Sequence, residues 1–461
     1  MQTLLRTCLL LAALLAGSAA RAADTLEYPG LGTITIERPA GTPARLVIFL
    51  SGDGGWNKGV VDMARHLVDE GALVAGVDVT AVERLAAAAQ GPCVGLAGSL
   101  EGLAHYVEQR YGLRDYQPPV LVGYSSGATL AYGTLAQAPA GTFLGAISLG
   151  FCPDLEWRKP LCRGEGLEHE AVKQGFVYRP AKHLQEPWIA VQGERDQVCS
   201  ASQTRAFVAQ VPGAEMVSLP LVGHGYSVER NWLPQFLAAY RKLAAGNRAR
   251  AEPLPADVGD LPLTELPVGG GTGDTLAIMV SGDGGWAGLD RSVAAALNAR
   301  GLPVVGWDSL RYFWTARTPQ GAALDLDRVV RHYARAWRKS RVLLVGYSQG
   351  ADVLPFMVNR LPQASRQRVA GTVLIGVSNE AFFEFSVTHW LTTPRGGLPV
   401  PPEVNGGRLG RVACIYGAEE AESPCRSFAA QGLRRIELPG GHHFAGDYER
   451  VASAVLEILA T

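Results

Sequence analysis

Two short segments of the chain set a serine between glycines: GYSSG at 123–127 and GYSQG at 346–350. A serine hydroxyl is a poor nucleophile until a histidine takes its proton, and that histidine needs a carboxylate to fix its tautomer. Both serines have such partners downstream, in the same order. After Ser125 come Asp196, at the end of PWIAVQGERD, and His224, in LPLVGHG. After Ser348 come Glu420, in the loop following RVACIYG, and His442, in LPGGHHF. The serine-to-acid separations are 71 and 72 residues, and the serine-to-histidine separations 99 and 94. Two sets in register point to acyl transfer through a serine, in the chain order serine, acid, histidine. In the second set Glu422 is an alternative to Glu420, and His443 adjoins His442; the register with Gly223-His224 favours His442.

Acyl transfer also needs N–H donors aimed at the developing oxyanion. The hexapeptide SGDGGW occurs at 51–56 and again at 281–286, each time after an apolar run, RLVIFL or LAIMV. Its glycines let backbone approach a reacting carbonyl with no Cβ in the way. The expected donors are the amide of Asp53 or Asp283 and the amide after each serine, that of Ser126 or Gln349. A phosphate-binding loop would end in Lys-Ser/Thr, and neither copy does. The reaction needs no metal or other cofactor, and no His/Cys/Asp cluster has ligand spacing.

These side chains need a rigid frame. In both halves short, near-continuous apolar runs alternate with amphipathic helices, the pattern of a parallel sheet covered on both faces. Each GxSxG follows such a run and opens a helix, as a nucleophile elbow requires. The expected fold is α/β: two tandem α/β-hydrolase-fold domains, each a mostly parallel sheet with helices on both faces. The first domain spans 23–245 and the second 276–461. Between them 246–275, rich in Pro and Gly, reads as a linker with a short strand opening the second domain.

Residues 1–22 combine Arg6, the apolar CLLLAALLA and Ala20-Arg21-Ala22, a secretory signal. The composition is otherwise that of a globular protein, 47% hydrophobic and 18% charged. A net charge of −1 gives no reason to expect nucleic acid as a partner. Export permits disulfides. Cys414 and Cys425 stand alone in the second half and are expected to pair; Cys93, Cys152, Cys162 and Cys199 allow three connectivities.

SGDGGW after a strand, GYSQGADVLPF, YGAEEAESPC and LPGGHHFAGDY together resemble the VirJ/AcvB family of bacterial virulence-associated proteins. The resemblance covers essentially the whole mature chain and is most specific over 276–461. It implies a periplasmic hydrolase that cleaves aminoacylated phosphatidylglycerol, chiefly lysyl-phosphatidylglycerol, to phosphatidylglycerol and free amino acid. It carries the working site to Ser348 and His442, with the acid in the 417–425 loop. It also implies peripheral contact with the periplasmic membrane face and a link to type IV secretion, with secretion-system proteins as partners.

A lysyl head group bears two ammonium groups, so carboxylates are expected beside the triad. Asp283 and Asp308 are the candidates, with helix or turn capping as the plainer role. In SLRYFWTARTP, Tyr312, Phe313 and Trp314 suit either a lid or interfacial contact or ordinary packing over the sheet. The segments 152–183 and 378–408 occupy cap positions, and AFFEFSVTHW in the latter offers an apolar wall for acyl chains. A binding or chaperone-like scaffold without catalysis is the rival reading, and a disrupted triad would favour it.

Overall fold

A computed structural model describes residues 24–89, 91–113, 116–245, 257–269, 273–385 and 396–459. The secretory signal lies outside the described residues, as do much of the linker and the second half of AFFEFSVTHW, 386–390. Among the described residues no helix is long and apolar enough to cross a membrane.

The apolar runs are strands buried on both faces. Every residue of Arg45–Leu50, Ala72–Val77, Gly145–Leu149 and Trp188–Gly193 is buried. Across the first sheet the order is Asp24–Tyr28, Gly32–Glu37, Ala72–Val77, Arg45–Leu50, Val120–Tyr124, Gly145–Leu149, Trp188–Gly193, Glu215–Leu219. The first two strands are antiparallel additions at one edge, and the rest run parallel. The second sheet repeats the plan: Leu263–Leu266, Val304–Trp307, Thr275–Val280, Arg341–Tyr347, Val369–Ile375, Val412–Gly417, Arg434–Leu438. Leu263–Leu266, inside the segment read as linker, is its antiparallel edge. The chain is two tandem α/β-hydrolase folds.

Helices cover both faces of each sheet. Lys58–Asp69 buries Val60, Met63, Ala64, Leu67 and Val68, a stripe at helical spacing. The tryptophan of each SGDGGW lies flat on the neighbouring strand. A Cβ on Gly76 would come within 2.1 Å of Trp56, and one on Gly306 within 2.2 Å of Trp286. Each loop is therefore keyed to its sheet by a Trp-on-Gly contact.

Of the cap segments, 152–183 holds a small sheet of Asp154–Leu155, Phe176–Tyr178 and His169–Ala171. The other contributes the pair Glu380–Ala381 and Leu398–Pro399, then the helix Val400–Asn405. Among the described residues three disulfides form: Cys93–Cys162, Cys152–Cys199 and Cys414–Cys425.

The aromatic run 312–314 is packing and not an interfacial surface. Tyr312, Phe313 and Trp314 are all buried. Trp314 reaches the first domain, donating its indole N–H to the Leu113 carbonyl at 3.0 Å. It stacks on Phe385 at 5.3 Å, and Tyr116 of the first domain packs against it at 5.6 Å.

Candidate active site

Each serine sits on a strained turn between a central strand and a helix. Ser125 has φ 56° and ψ −123°, and Ser348 φ 51° and ψ −120°, which lifts the side chain above the sheet edge. The flanking glycines are sterically required. A Cβ on Gly123 would meet the Gly127 carbonyl at 1.9 Å, and one on Gly350 the Val280 carbonyl at 2.1 Å.

In the first domain His224 Nε2 lies 3.0 Å from Ser125 Oγ, and His224 Nδ1 lies 2.8 Å from Asp196 Oδ2. Asp196 Oδ1 accepts the amides of Val198 at 2.9 Å and Cys199 at 2.8 Å. Burial raises the Asp196 pKa, but the His224 and amide hydrogen bonds prevail and hold it below the usual carboxylate range.

The second domain repeats this geometry. His442 Nε2 lies 3.0 Å from Ser348 Oγ and His442 Nδ1 2.7 Å from Glu420 Oε1, while Glu420 Oε2 accepts the Gly417 amide at 2.7 Å. Burial again raises the acid's pKa, and the bonds from His442 and Gly417 more than reverse it. The two open choices of the sequence separate clearly. Glu422 is exposed, and His443 Nδ1 lies 3.1 Å from the Tyr347 hydroxyl, away from the serine. The His442 side chain is 37% exposed against 19% for His224, so the second site is the more open to a substrate.

Gly52 and Gly282 press SGDGGW against the nucleophiles. A Cβ on either would lie 3.0 Å from Ser125 Cβ or 3.4 Å from Ser348 Cβ. Asp53 and Asp283 follow directly. Ser126 and Gln349 are the first residues of the helices Ser126–Gln137 and Gln349–Asn359, where an N–H has no intrahelical acceptor. Both donor pairs thus border the serines.

Asp308 caps the helix Ser309–Phe313, taking the Arg311 amide at 3.1 Å, and its Oδ1 lies against Gly285 of the SGDGGW loop, where a Cβ would come within 3.1 Å of it; Asp283 is on the same loop, directly after Gly282.

Several supporting residues escaped the sequence reading. Tyr124 donates its hydroxyl to the His224 carbonyl at 2.9 Å, and Tyr347 to that of His442 at 3.3 Å. Buried Gln192 donates to Asp196 at 3.2 Å. Gly150 and Gly376, both at positive φ, make room for the histidine rings; a Cβ on Gly376 would sit 2.7 Å from His442 Cε1. Aligning the halves supplies the signal for the tyrosines and these glycines, because each pair recurs in register.

Residues 44–142 and 274–461 match the family described as bacterial virulence protein (VirJ). No protein with a curated description matches the sequence. Among solved structures, the chain is similar to a putative dienelactone hydrolase from Klebsiella pneumoniae at 16% identity, over 49% of this chain and 98% of that one, TM-score 0.37. It is also similar to an α/β serine hydrolase without lid from Xanthomonas campestris, at 18% identity over 50% and 96%, TM-score 0.33. A third is Est1E from Butyrivibrio proteoclasticus, at 12% identity over 48% and 98%, TM-score 0.33.

Proposed function

The chain belongs to this VirJ family, and we propose that it is a periplasmic serine esterase that hydrolyses aminoacylated phosphatidylglycerol, with lysyl-phosphatidylglycerol as its chief substrate. The observation that carries the reading is the unbroken chain of bonds Ser348 Oγ–His442–Glu420 at 3.0 and 2.7 Å in the more open of two sites. The first domain's set, at 3.0 and 2.8 Å, is equally complete and supports a second esterase site. An intact triad speaks against a scaffold role.

The chemistry follows from the geometry. Ser348 Oγ attacks the carbonyl that joins the amino acid to the lipid glycerol, and its proton passes to His442 Nε2. Glu420, ionised because its bonded pKa is held low, fixes the imidazole and stabilises the cation formed. The oxyanion is received by the amides of Asp283 and Gln349. His442 then protonates the departing glycerol oxygen, releasing phosphatidylglycerol and leaving the aminoacyl group on Ser348. Water, deprotonated by His442, attacks that ester and frees the amino acid. Asp283, next to Gly282 on the loop against Ser348, is proposed to bind an ammonium of the acyl group. Reaching the lipid requires peripheral contact with the membrane face. Secretion-system proteins are proposed as further partners on the strength of the family alone.

The test is lysine release from vesicles containing lysyl-phosphatidylglycerol. Wild-type protein and Ser125→Ala are expected to release lysine, and Ser348→Ala is expected to release none above background. Wild-type protein that cleaves a nitrophenyl ester but leaves the lipid intact would restrict the reading to a general carboxylesterase.

A further inference from the structure

The two domains meet through opposite edges of their sheets. On the first domain the contacts come from Gln109, Leu113, Tyr116 and Gly141. The first three precede the strand Val120–Tyr124 and Gly141 precedes Gly145–Leu149, so they mark the amino edge, opposite Ser125. On the second domain the contacts come from Arg291, Trp314 and Phe385. These follow the carboxyl ends of Thr275–Val280, Val304–Trp307 and Val369–Ile375, the edge that carries Ser348. The domains stack head to tail, with the first against the rim of the second site.

One of these contacts leads to the oxyanion loop. Arg291, in the first turn of the helix Gly288–Ala299 that follows SGDGGW, donates its Nε–H to the Trp286 carbonyl at 2.8 Å. The far end of its guanidinium covers Gly141 of the first domain, where a Cβ would lie 2.8 Å from Nη2 and 3.5 Å from Cζ. Gly141 is itself fixed, its amide donating to Glu186 Oε1 at 3.2 Å. The guanidinium is planar and rigid, so a push at Nη2 is carried to Nε. From Trp286 the loop is tied inward: the Ala287 N–H bonds the Gly285 carbonyl at 3.0 Å and the Gly285 N–H the Gly282 carbonyl at 3.1 Å. Gly282 lies against Ser348, with a Cβ there 3.4 Å from Ser348 Cβ. Contacts thus run unbroken from Gly141 through Arg291 and Trp286 to the nucleophile.

The duplicated first site serves as an internal control. Matching the two copies of SGDGGW sets Val61 opposite Arg291. The first domain forms its loop and its triad with no arginine at that position, so Arg291 is no requirement of the turn. What the second copy has in addition is a neighbouring domain at its loop.

We infer that Arg291 is a positioning residue: braced on Gly141 of the first domain, it holds the Trp286 carbonyl and so aligns the oxyanion loop of the second site. The tandem arrangement is thereby part of the second site's catalytic geometry. This rests on reading Ser348 as a working esterase nucleophile and is independent of which acyl group is cleaved. Arg291 acts through the loop and takes no part in the proton transfers.

The experiment compares full-length Ser125→Ala protein with the same protein carrying Arg291→Ala, Gly141→Ala or both. Nitrophenyl butyrate turnover gives kcat and KM for the second site, and the same substitutions in the Ser348→Ala background give those of the first. Arg291→Ala is expected to lower second-site kcat about tenfold, less than outright loss of an oxyanion donor, with KM near its parent value. Gly141→Ala, whose Cβ displaces the guanidinium, should lower the same kcat, and the double substitution should add little to Arg291→Ala alone. First-site kcat should stay within about twofold of its parent throughout, which also reports a folded first domain. Arg291→Lys should fail to restore kcat, because one ammonium cannot bond Trp286 and cover Gly141 together. An unchanged second-site kcat in Arg291→Ala, full additivity of the two substitutions, restoration by lysine, or equal losses at both sites would each overturn the inference. A parent protein without second-site turnover would instead count against the esterase reading. Hydrogen exchange of the 281–287 amides, expected to quicken in Arg291→Ala and in Gly141→Ala, would then still decide whether Arg291 holds the loop.

Discussion

The contact between Trp286 and Gly306 ties the oxyanion loop to the sheet, and adding one methyl group at Gly306 should separate activity from folding. A Cβ there would lie 2.2–2.5 Å from three ring atoms of Trp286. Carbon atoms pack at about 3.5–4.0 Å, so the ring must retreat by roughly 1.3 Å. Trp286 is three residues beyond Asp283, and the loop between is short and internally bonded, Gly285 N–H to the Gly282 carbonyl at 3.1 Å. The displacement should therefore reach the Asp283 amide. Losing one oxyanion donor costs about 10²–10³ in kcat. Overpacking one methyl group costs about 1–3 kcal/mol of stability, which a domain of this size can bear. In the Ser125→Ala background, Gly306→Ala should lower kcat for a nitrophenyl ester about 100-fold while KM stays near its parent value. Circular dichroism should still report a folded chain. A folded Gly306→Ala protein with kcat within about threefold of its parent would refute the claim that this contact positions the donor.

Other outcomes follow from the same coordinates. Glu420→Gln in the Ser125→Ala background, and Asp196→Asn in the Ser348→Ala background, should each lower ester kcat by roughly 10³–10⁴ through loss of the histidine's orienting partner, read by initial rates. Burial, with the Asp283 charge adding to it, pushes Glu101 up to about 7 from an ordinary 4.5. A raised carboxyl pKa stabilises the fold fully below the unfolded value and loses that contribution as pH rises through the folded one. Wild-type protein should therefore lose melting temperature relative to Glu101→Gln between about pH 4.5 and 7. An unchanged difference across that range would count against a strained Glu101. Replacing Cys414 and Cys425 together by alanine should cost about 2–3 kcal/mol in denaturant unfolding, because their bridge closes the loop bearing Glu420.

Most of the frame was legible because it is local. Apolar runs such as RLVIFL and RVLLVGY, alternating with amphipathic helices, have the pattern of strands covered on both faces, and the glycines around each serine suit a tight turn between strand and helix. Duplication made the triads legible, since the second copy selected the spacing that mattered in the first. What escaped depends on contacts remote in sequence. Gln109 donates to the Phe385 carbonyl across the domain interface, and nothing in SLEGLAHYVEQR announces that neighbour. Tyr312, Phe313 and Trp314 look the same in sequence whether they face lipid or another domain; Leu113, Tyr116 and Phe385 decide it. The antiparallel strands Asp24–Tyr28 and Gly32–Glu37 escaped because they alternate exposed and buried residues and carry no continuous apolar run. The four cysteines of the first domain pair by proximity of loops, which spacing does not encode.

The most direct test of the central claim is to catch the covalent intermediate. Ser125→Ala protein would be mixed with lysyl-phosphatidylglycerol, quenched in acid within the first turnovers and digested, and the lysyl adduct located by mass spectrometry. The account predicts an adduct on the peptide carrying Ser348 that disappears in Ser348→Ala. Lysine release that persists in the doubly substituted protein, or an adduct on any other residue, would contradict it.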